Sequence, residues 1–214
     1  AAKIELDKLT FGDKPLEIAF TAVDGRKVDL KDLRGKVVLV DFWATWCGPC
    51  IAELPNVKKV YAAYRDMGFE VIGISLENAK LSPTDTPEQT AAKMEKAKQI
   101  LTDFTAKSQM PWPQYIDGKW WKNDISTRFG IVSIPAMVLI DQNGKLVTTE
   151  ARGPKLEAEV KRLLNLAVWD VCLALPKAAV EALGGEAAED LADGELAMRA
   201  RQRSWEQALG ECGC

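Results

Sequence analysis

No histidine occurs among the 214 residues. Ser-His-Asp and Cys-His catalysis, His-ligated metals and a histidine proton switch are thereby excluded. Long apolar runs are missing too: the longest near candidate, Val37 to Val40, is strand-sized, far short of the 18 or more residues of a membrane span. The expectation is a water-soluble chain that does not itself insert into a membrane. Positive charge is not in excess, because 28 Lys and Arg face 31 Asp and Glu for a formal net charge of -3. Such a chain has no basic field for nucleic acid or an anionic membrane. It also lacks an initiator methionine. A start at Ala1-Ala2 suits a mature chain relieved of a signal peptide, although a trimmed chain would look the same. Cysteines are sparse and odd in number (Cys47, Cys50, Cys172, Cys212 and Cys214), too few for a disulfide-built scaffold and leaving at least one thiol free or paired outside the chain.

What is present describes an ordinary globule. At 47% hydrophobic and 28% charged, 214 residues make one generous domain, or one domain with an appendage, able to bury a core without disulfide staples. Leu16 to Val23 and Lys27 to Leu30, joined by Asp24-Gly25, predict an N-terminal β-hairpin. Val37 to Val40 is apolar at every position, which fits a central strand covered on both faces. From Pro49 to about Met67 apolar residues recur at helical spacing, with Pro55 expected to kink the helix rather than end it. Val71 to Ser75 is then a second buried strand, so strand, helix and strand form a βαβ crossover with a parallel pair.

Further along, Glu77 to Thr90 reads as a loop leading into a Lys-rich helix over about Pro87 to Lys107, together a surface insertion. Met110 to Ile116, with two prolines, predicts an irregular edge strand, and Ile125 to Phe129 a short helix closed by Gly130. Ala136 to Asp141 and Lys145 to Glu150 are strands joined by Gln142-Asn143-Gly144. From Leu156 the apolar residues Val160, Leu163, Leu164, Ala167, Val168, Val171 and Leu175 predict one long helix that stops before Pro176. The remainder is acidic and Ala-rich, broken at Gly184-Gly185 and Gly194. The division expected is a domain over 1–170 and a helical, Cys-containing extension over 171–214.

The chemistry concentrates at Trp46-Cys47-Gly48-Pro49-Cys50, where the central strand turns into the helix. Two cysteines three apart at a helix start lie on one side of the first turn and can close a disulfide. The helix N-terminus favours Cys47 as the exposed, attacking thiolate, with Cys50 shielded behind it to resolve, and Pro49 is tolerated because its missing N–H has no partner there. A competing reading is half of a structural zinc site, but its partners would be Cys212 and Cys214 alone, with no histidine; no metal is expected. CxxC after a buried strand in a βαβ setting is a redox arrangement.

Val40-Asp41-Phe42-Trp43-Ala44-Thr45-Trp46-Cys47-Gly48-Pro49-Cys50 resembles the active-site segment of thioredoxins. Cys50-Ile51-Ala52-Glu53-Leu54-Pro55, the N-terminal hairpin and the insertion after the second core strand resemble the TlpA/ResA group of exported thiol-disulfide oxidoreductases. The resemblance covers about residues 10 to 168. It implies an α/β, thioredoxin-like fold, with a central mixed sheet flanked by helices, the N-terminal hairpin, the insertion and the helical C-terminal extension. It further implies reduction of disulfides in exported proteins, recharging by a membrane thiol donor, a periplasmic or other extracytoplasmic location, and no cofactor beyond the Cys47-Cys50 couple.

Ser133-Ile134-Pro135 matches the cis-proline element that faces the CxxC in this family, so Ile134 and Pro135 join Trp46, Gly48 and Pro49 as expected substrate contacts. The alternative is a trans proline at a strand entry. Asp41, at the end of a buried strand, should have its ionised form destabilised and matches the buried Asp of thioredoxin, a candidate proton shuttle. Glu53, one turn beyond Cys50 on the same helical face, matches the active-site Glu of the ResA group. Having both departs from ResA-like patterns, which commonly lack the Asp. The competing readings are a strand-end polar residue for Asp41 and a solvated first-turn acid for Glu53.

Trp43 is expected in the core, Trp46 beside the nucleophile, and Trp120-Trp121 either in the core or lining a groove for apolar polypeptide. Cys172 lies on the apolar stripe of the long helix and could bridge to Cys212 or Cys214, pinning the tail. The alternatives are a buried lone thiol at Cys172, and a Cys212/Cys214 pair that shuttles electrons or binds a soft metal. A peroxiredoxin-type peroxidase would need Pro-x-x-x-Thr-x-x-Cys, and Ala44 stands where that threonine should be. A disulfide oxidase or isomerase, or a scaffold that binds a partner without catalysis, shares the fold. The Gly-Pro between the cysteines resembles the reducing thioredoxins, which favours a reductase.

Overall fold

The computed structural model describes residues 14–166. By its internal contacts the chain divides into Ala1–Leu164 and Asn165–Cys214, and nearly all the described residues belong to the first unit. The boundary at 170/171, the extension and Cys172, Cys212 and Cys214 lie outside the described residues.

The chain order is β1 (Ala19–Thr21), β2 (Lys27–Asp29), β3 (Val37–Trp43), α1 (Gly48–Tyr64), a 3-10 turn (Arg65–Met67), β4 (Phe69–Ser75), α2 (Pro87–Lys107), β5 (Gln114–Ile116), a second 3-10 turn (Trp120–Lys122), α3 (Asp124–Arg128), β6 (Ala136–Ile140), β7 (Leu146–Thr148) and α4 (Pro154–Leu163). Five strands form the main sheet in the order β5-β4-β3-β6-β7. β3 is parallel to β4 and β4 to β5, while β6 runs antiparallel to β3 and to β7. β3 is therefore central, and every one of its seven residues is buried. An unbroken apolar strand satisfies a sheet covered on both faces, which is why Val37 to Val40 is legible as the centre.

Strand polarity fixes where chemistry collects. The parallel strands β3, β4 and β5 end at Trp43, Ser75 and Ile116, which are in register with one another, and β6 starts beside Phe42. The segments after β3, β4 and β5 and before β6 thus converge on one end of the sheet, the end at which open α/β sheets place their sites.

α1 buries Cys50, Leu54, Val57, Val60 and Tyr64, a stripe at helical spacing, and continues through Pro55 to Tyr64. α2 starts at a capping box in which the Thr86 hydroxyl accepts from the Gln89 N–H and the Gln89 side chain accepts from the Thr86 N–H. It is more than a surface insertion: Ala97, Leu101 and Thr105 are buried, and Phe104 packs 5.5 Å from the Trp43 ring. The β1–β2 hairpin covers the β5 edge, with the Val23 N–H donating to the Gln114 carbonyl at 2.9 Å and Phe20 against Tyr115 at 5.3 Å.

The helix expected to run from Leu156 to Leu175 ends at Leu163. Asn165 adopts a left-handed conformation, φ 58°, which asparagine tolerates better than most residues. The last-turn carbonyl of Leu163 accepts from Gln142 Nε2 at 2.5 Å, so the helix end is satisfied by the turn between β6 and β7 rather than by another helical turn. Continuous apolar spacing conceals such a stop.

Candidate active site

Cys47 and Cys50 are joined by a disulfide, with S–S 2.05 Å, χ3 74° and a Cα separation of 5.2 Å. Cys47 is the N-cap of α1: its carbonyl accepts from the Ile51 N–H at 3.0 Å and its Sγ from the Cys50 N–H at 3.2 Å. Gly48 and Pro49 form the start of the first turn, where no intrahelical N–H is lost to proline. Exposure separates the two sulfurs less than the sequence suggests. With the disulfide closed, Cys47 is 5% and Cys50 3% exposed. What separates them is position: Cys47 at the cap, on the positive end of the helix dipole, and Cys50 on the stripe α1 turns toward the core.

Asp41 is the fifth residue of β3, not its end; the strand continues through Phe42 and Trp43. It lies between Gly73 of β4 and Met137 of β6. The side chain is fully buried and Oδ1 has no hydrogen-bond partner among the described residues. Burial, with a smaller contribution from the Glu53 charge, pushes its carboxyl up to about 7.

Glu53 falls in the second turn of α1 rather than the first. It is not solvated there: Oε1 accepts from Asn56 Nδ2 at 2.7 Å and from the Gly153 N–H at 2.8 Å, and Oε2 lies 3.9 Å from Arg152 Nε. Asn56 Nδ2 also donates to the Gly153 carbonyl at 3.0 Å, so the loop before α4 and this part of α1 are tied at one carboxylate. The Glu53 charge still reaches Asp41.

The Ile134–Pro135 peptide bond is cis. No hydrogen bond among the described residues uses the Ile134 backbone. Trp43 is buried and donates from Nε1 to Gln114 Oε1 at 2.9 Å. Gly73 makes room for that amide, since a Cβ there would collide with the Gln114 side chain. Trp112 is in the core against Tyr61. Trp46 and Trp120 stand largely exposed, while Trp121 joins them in one aromatic cluster.

Glu77 is the functional residue that sequence reading passed over as the start of a loop. It is buried, and Oε1 accepts from the Thr45 N–H, two residues before Cys47, at 2.6 Å. Its signal was its place two residues beyond the end of β4, straight after the buried Leu76. Glu77→Ala leaves the Thr45 N–H without that acceptor and should destabilise the protein by about 1–3 kcal/mol in urea unfolding, whereas Glu77→Gln, which keeps an acceptor oxygen, should lose less.

Residues 11–166 match the family described as Redoxin. A ResA thiol-disulfide oxidoreductase from Bacillus thuringiensis subsp. konkukian is 25% identical over 159 residues, covering 74% of this chain and 79% of its own. The crystal structure of the thioredoxin domain of a thiol-disulfide oxidoreductase from Bacteroides vulgatus aligns with TM-score 0.53 and 31% identity over 72% of this chain and 96% of that one. A thiol:disulfide interchange protein of the DsbE type from Chlorobium tepidum aligns with TM-score 0.53 and 28% identity, over 73% of this chain and 95% of that one.

Proposed function

Because this chain belongs to the Redoxin family and is a thiol-disulfide oxidoreductase that works by dithiol-disulfide exchange, we propose that it runs as a reductase, drawing electrons from a membrane thiol donor and passing them to disulfides of exported proteins. The observation that carries this reading is the Cys47–Cys50 pair capping α1 directly after the buried central strand. An extracytoplasmic site of action follows from the likeness to the ResA group. No helix among the described residues is long and apolar enough to cross a membrane.

In the reducing direction the Cys47 thiolate attacks a substrate disulfide. One substrate sulfur bonds to Cys47 and the other leaves as thiolate. Cys50 then gives up its proton and attacks Cys47 Sγ, which restores the Cys47–Cys50 disulfide and releases the second substrate thiolate. Two electrons move to the substrate. Asp41 takes the proton of Cys50, and Glu53 tunes Asp41 through its charge. The segment Ile134-Pro135 and the residues Trp46, Gly48 and Pro49 flank the reacting sulfur.

The reduction potential of the Cys47/Cys50 couple tests the direction. A value near the thioredoxin limit of about −270 mV is expected; one near the oxidising limit of about −120 mV would reverse the assignment.

A further inference from the structure

The charge that bears on the buried Asp41 is that of Glu53, which reaches it from α1; its sheet neighbours Gly73 and Met137 carry none. Coulomb energy falls with distance and with access of water, so a carboxylate on a long side chain acts on its neighbour only while it is held there. How Glu53 is held therefore belongs to the proton chemistry. Its side chain is 13% exposed, and groups from two elements converge on it. Asn56, one turn further along α1, donates from Nδ2 to Glu53 Oε1 at 2.7 Å and from the same nitrogen to the Gly153 carbonyl at 3.0 Å. The Gly153 N–H returns a bond of 2.8 Å to the same Oε1, so Asn56, Glu53 and Gly153 close a ring.

Both atoms facing the Asn56 amide are acceptors, so its nitrogen and not its oxygen must point there. An aspartate of the same shape would donate nothing. Arg152 is the weaker member: its Nε lies 3.9 Å from Glu53 Oε2 and its side chain is half exposed, where an ion pair contributes little. The loop end of the ring is itself fixed beside Asp41. Met137 of β6, opposite Asp41 in the sheet, also pairs with Glu150 in an isolated bridge, and Ala151 is fully buried. Gly153 then turns at φ 57°, a conformation that glycine takes without strain, and starts α4 as its N-cap.

We propose that Asn56 is a positioning residue for the resolving step: its amide fastens the Glu53 carboxylate to the Gly153 loop and so keeps that charge at a fixed distance from Asp41. The proposal rests on the reading that Asp41 takes the Cys50 proton. Asn56 is uncharged, and its side chain is bonded to Glu53 and Gly153 rather than to either sulfur. What it does to the proton step therefore goes through Glu53. Without the amide the Glu53 side chain is free to swing toward water, where its charge is screened from the buried carboxyl. Asp41 then ionises at lower pH, because less negative charge opposes its own.

The test follows resolution of the mixed disulfide against pH, in single-turnover reactions of the reduced protein with a disulfide peptide, quenched with acid at intervals. Parent, Asn56→Ala, Glu53→Gln and the double variant are compared. Asn56→Ala should move the midpoint of the profile about half a pH unit lower, about a threefold gain in ionised Asp41 well below the midpoint. Glu53→Gln should move it the same way. The double variant should coincide with Glu53→Gln, because the amide then has no charge left to hold. A midpoint does not depend on how much of a variant is folded. An Asn56→Ala profile that coincides with the parent overturns the role of Asn56, as does a Glu53→Gln profile that stays in place or a double variant shifted beyond Glu53→Gln. If Asp41→Asn resolves at the parent's rate at every pH, the proton reading itself fails, and the positioning role with it.

Discussion

Cys47→Ser should bring reduction of insulin disulfides down to the uncatalysed background, and Cys50→Ser should instead accumulate a mixed disulfide with substrate through Cys47. The assignment stands on the cap. The Sγ of Cys47 receives the Cys50 N–H at 3.2 Å at the start of a 17-residue helix. A thiolate there is stabilised by that donor and by the positive end of the helix dipole, which makes it the attacking sulfur. Cys50 lies on the stripe α1 buries, with Leu54 and Val57, and meets only the Cys47 sulfur, once that sulfur is bonded to substrate. Removing Cys50 therefore leaves attack intact and deletes resolution. Mass spectrometry of non-reduced protein after reaction with substrate decides between the two thiols. A trapped adduct at Cys50 in Cys47→Ser, with none in Cys50→Ser, would reverse the roles.

Much of this site was legible because its parts are local. Val37 to Val40 marks a covered strand by composition alone, and Cys47 to Cys50 follows it within one turn of chain. The box Thr86, Pro87 and Gln89 sets the start of α2 from three neighbouring side chains. The parts that were not legible depend on pairs distant in sequence. Glu53 reads as a solvated helix acid because its partner is the backbone of Gly153, 100 residues on. Glu77 reads as loop because its task, holding the Thr45 N–H, exists only once β3 and β4 end side by side. Leu163 reads as mid-helix because the acceptor role of its carbonyl is filled by Gln142 across the fold. The exposure expected of Cys47 is missing: with the disulfide closed, Cys47 is buried as Cys50 is.

Asp41→Asn should slow resolution of the mixed disulfide roughly a hundredfold near pH 7, the lower end of general-base contributions, while leaving mixed-disulfide formation much less affected. A carboxyl at about 7 is close to half ionised at that pH, so it can accept the Cys50 proton and return it, which an amide cannot do. Glu53→Gln removes the second cause of the shift, so the pH profile of resolution should move to lower pH with a smaller loss of rate. Stability gives a separate readout with a definite sign. Below the ordinary carboxyl value of 3.8 both folded and unfolded states hold the proton, and Asp41 contributes no pH dependence. Between 3.8 and about 7 the unfolded state has lost its proton while the folded state keeps it, so stability falls as pH rises, by about 1.36 kcal/mol per unit. Above about 7 the group is ionised in both states and the loss is complete. Across about pH 5 to 8 the oxidised parent should therefore lose about 3 kcal/mol relative to oxidised Asp41→Asn, measured by denaturant unfolding at each pH. A constant stability difference across that range, together with equal resolution rates, would reduce Asp41 to a residue that only packs.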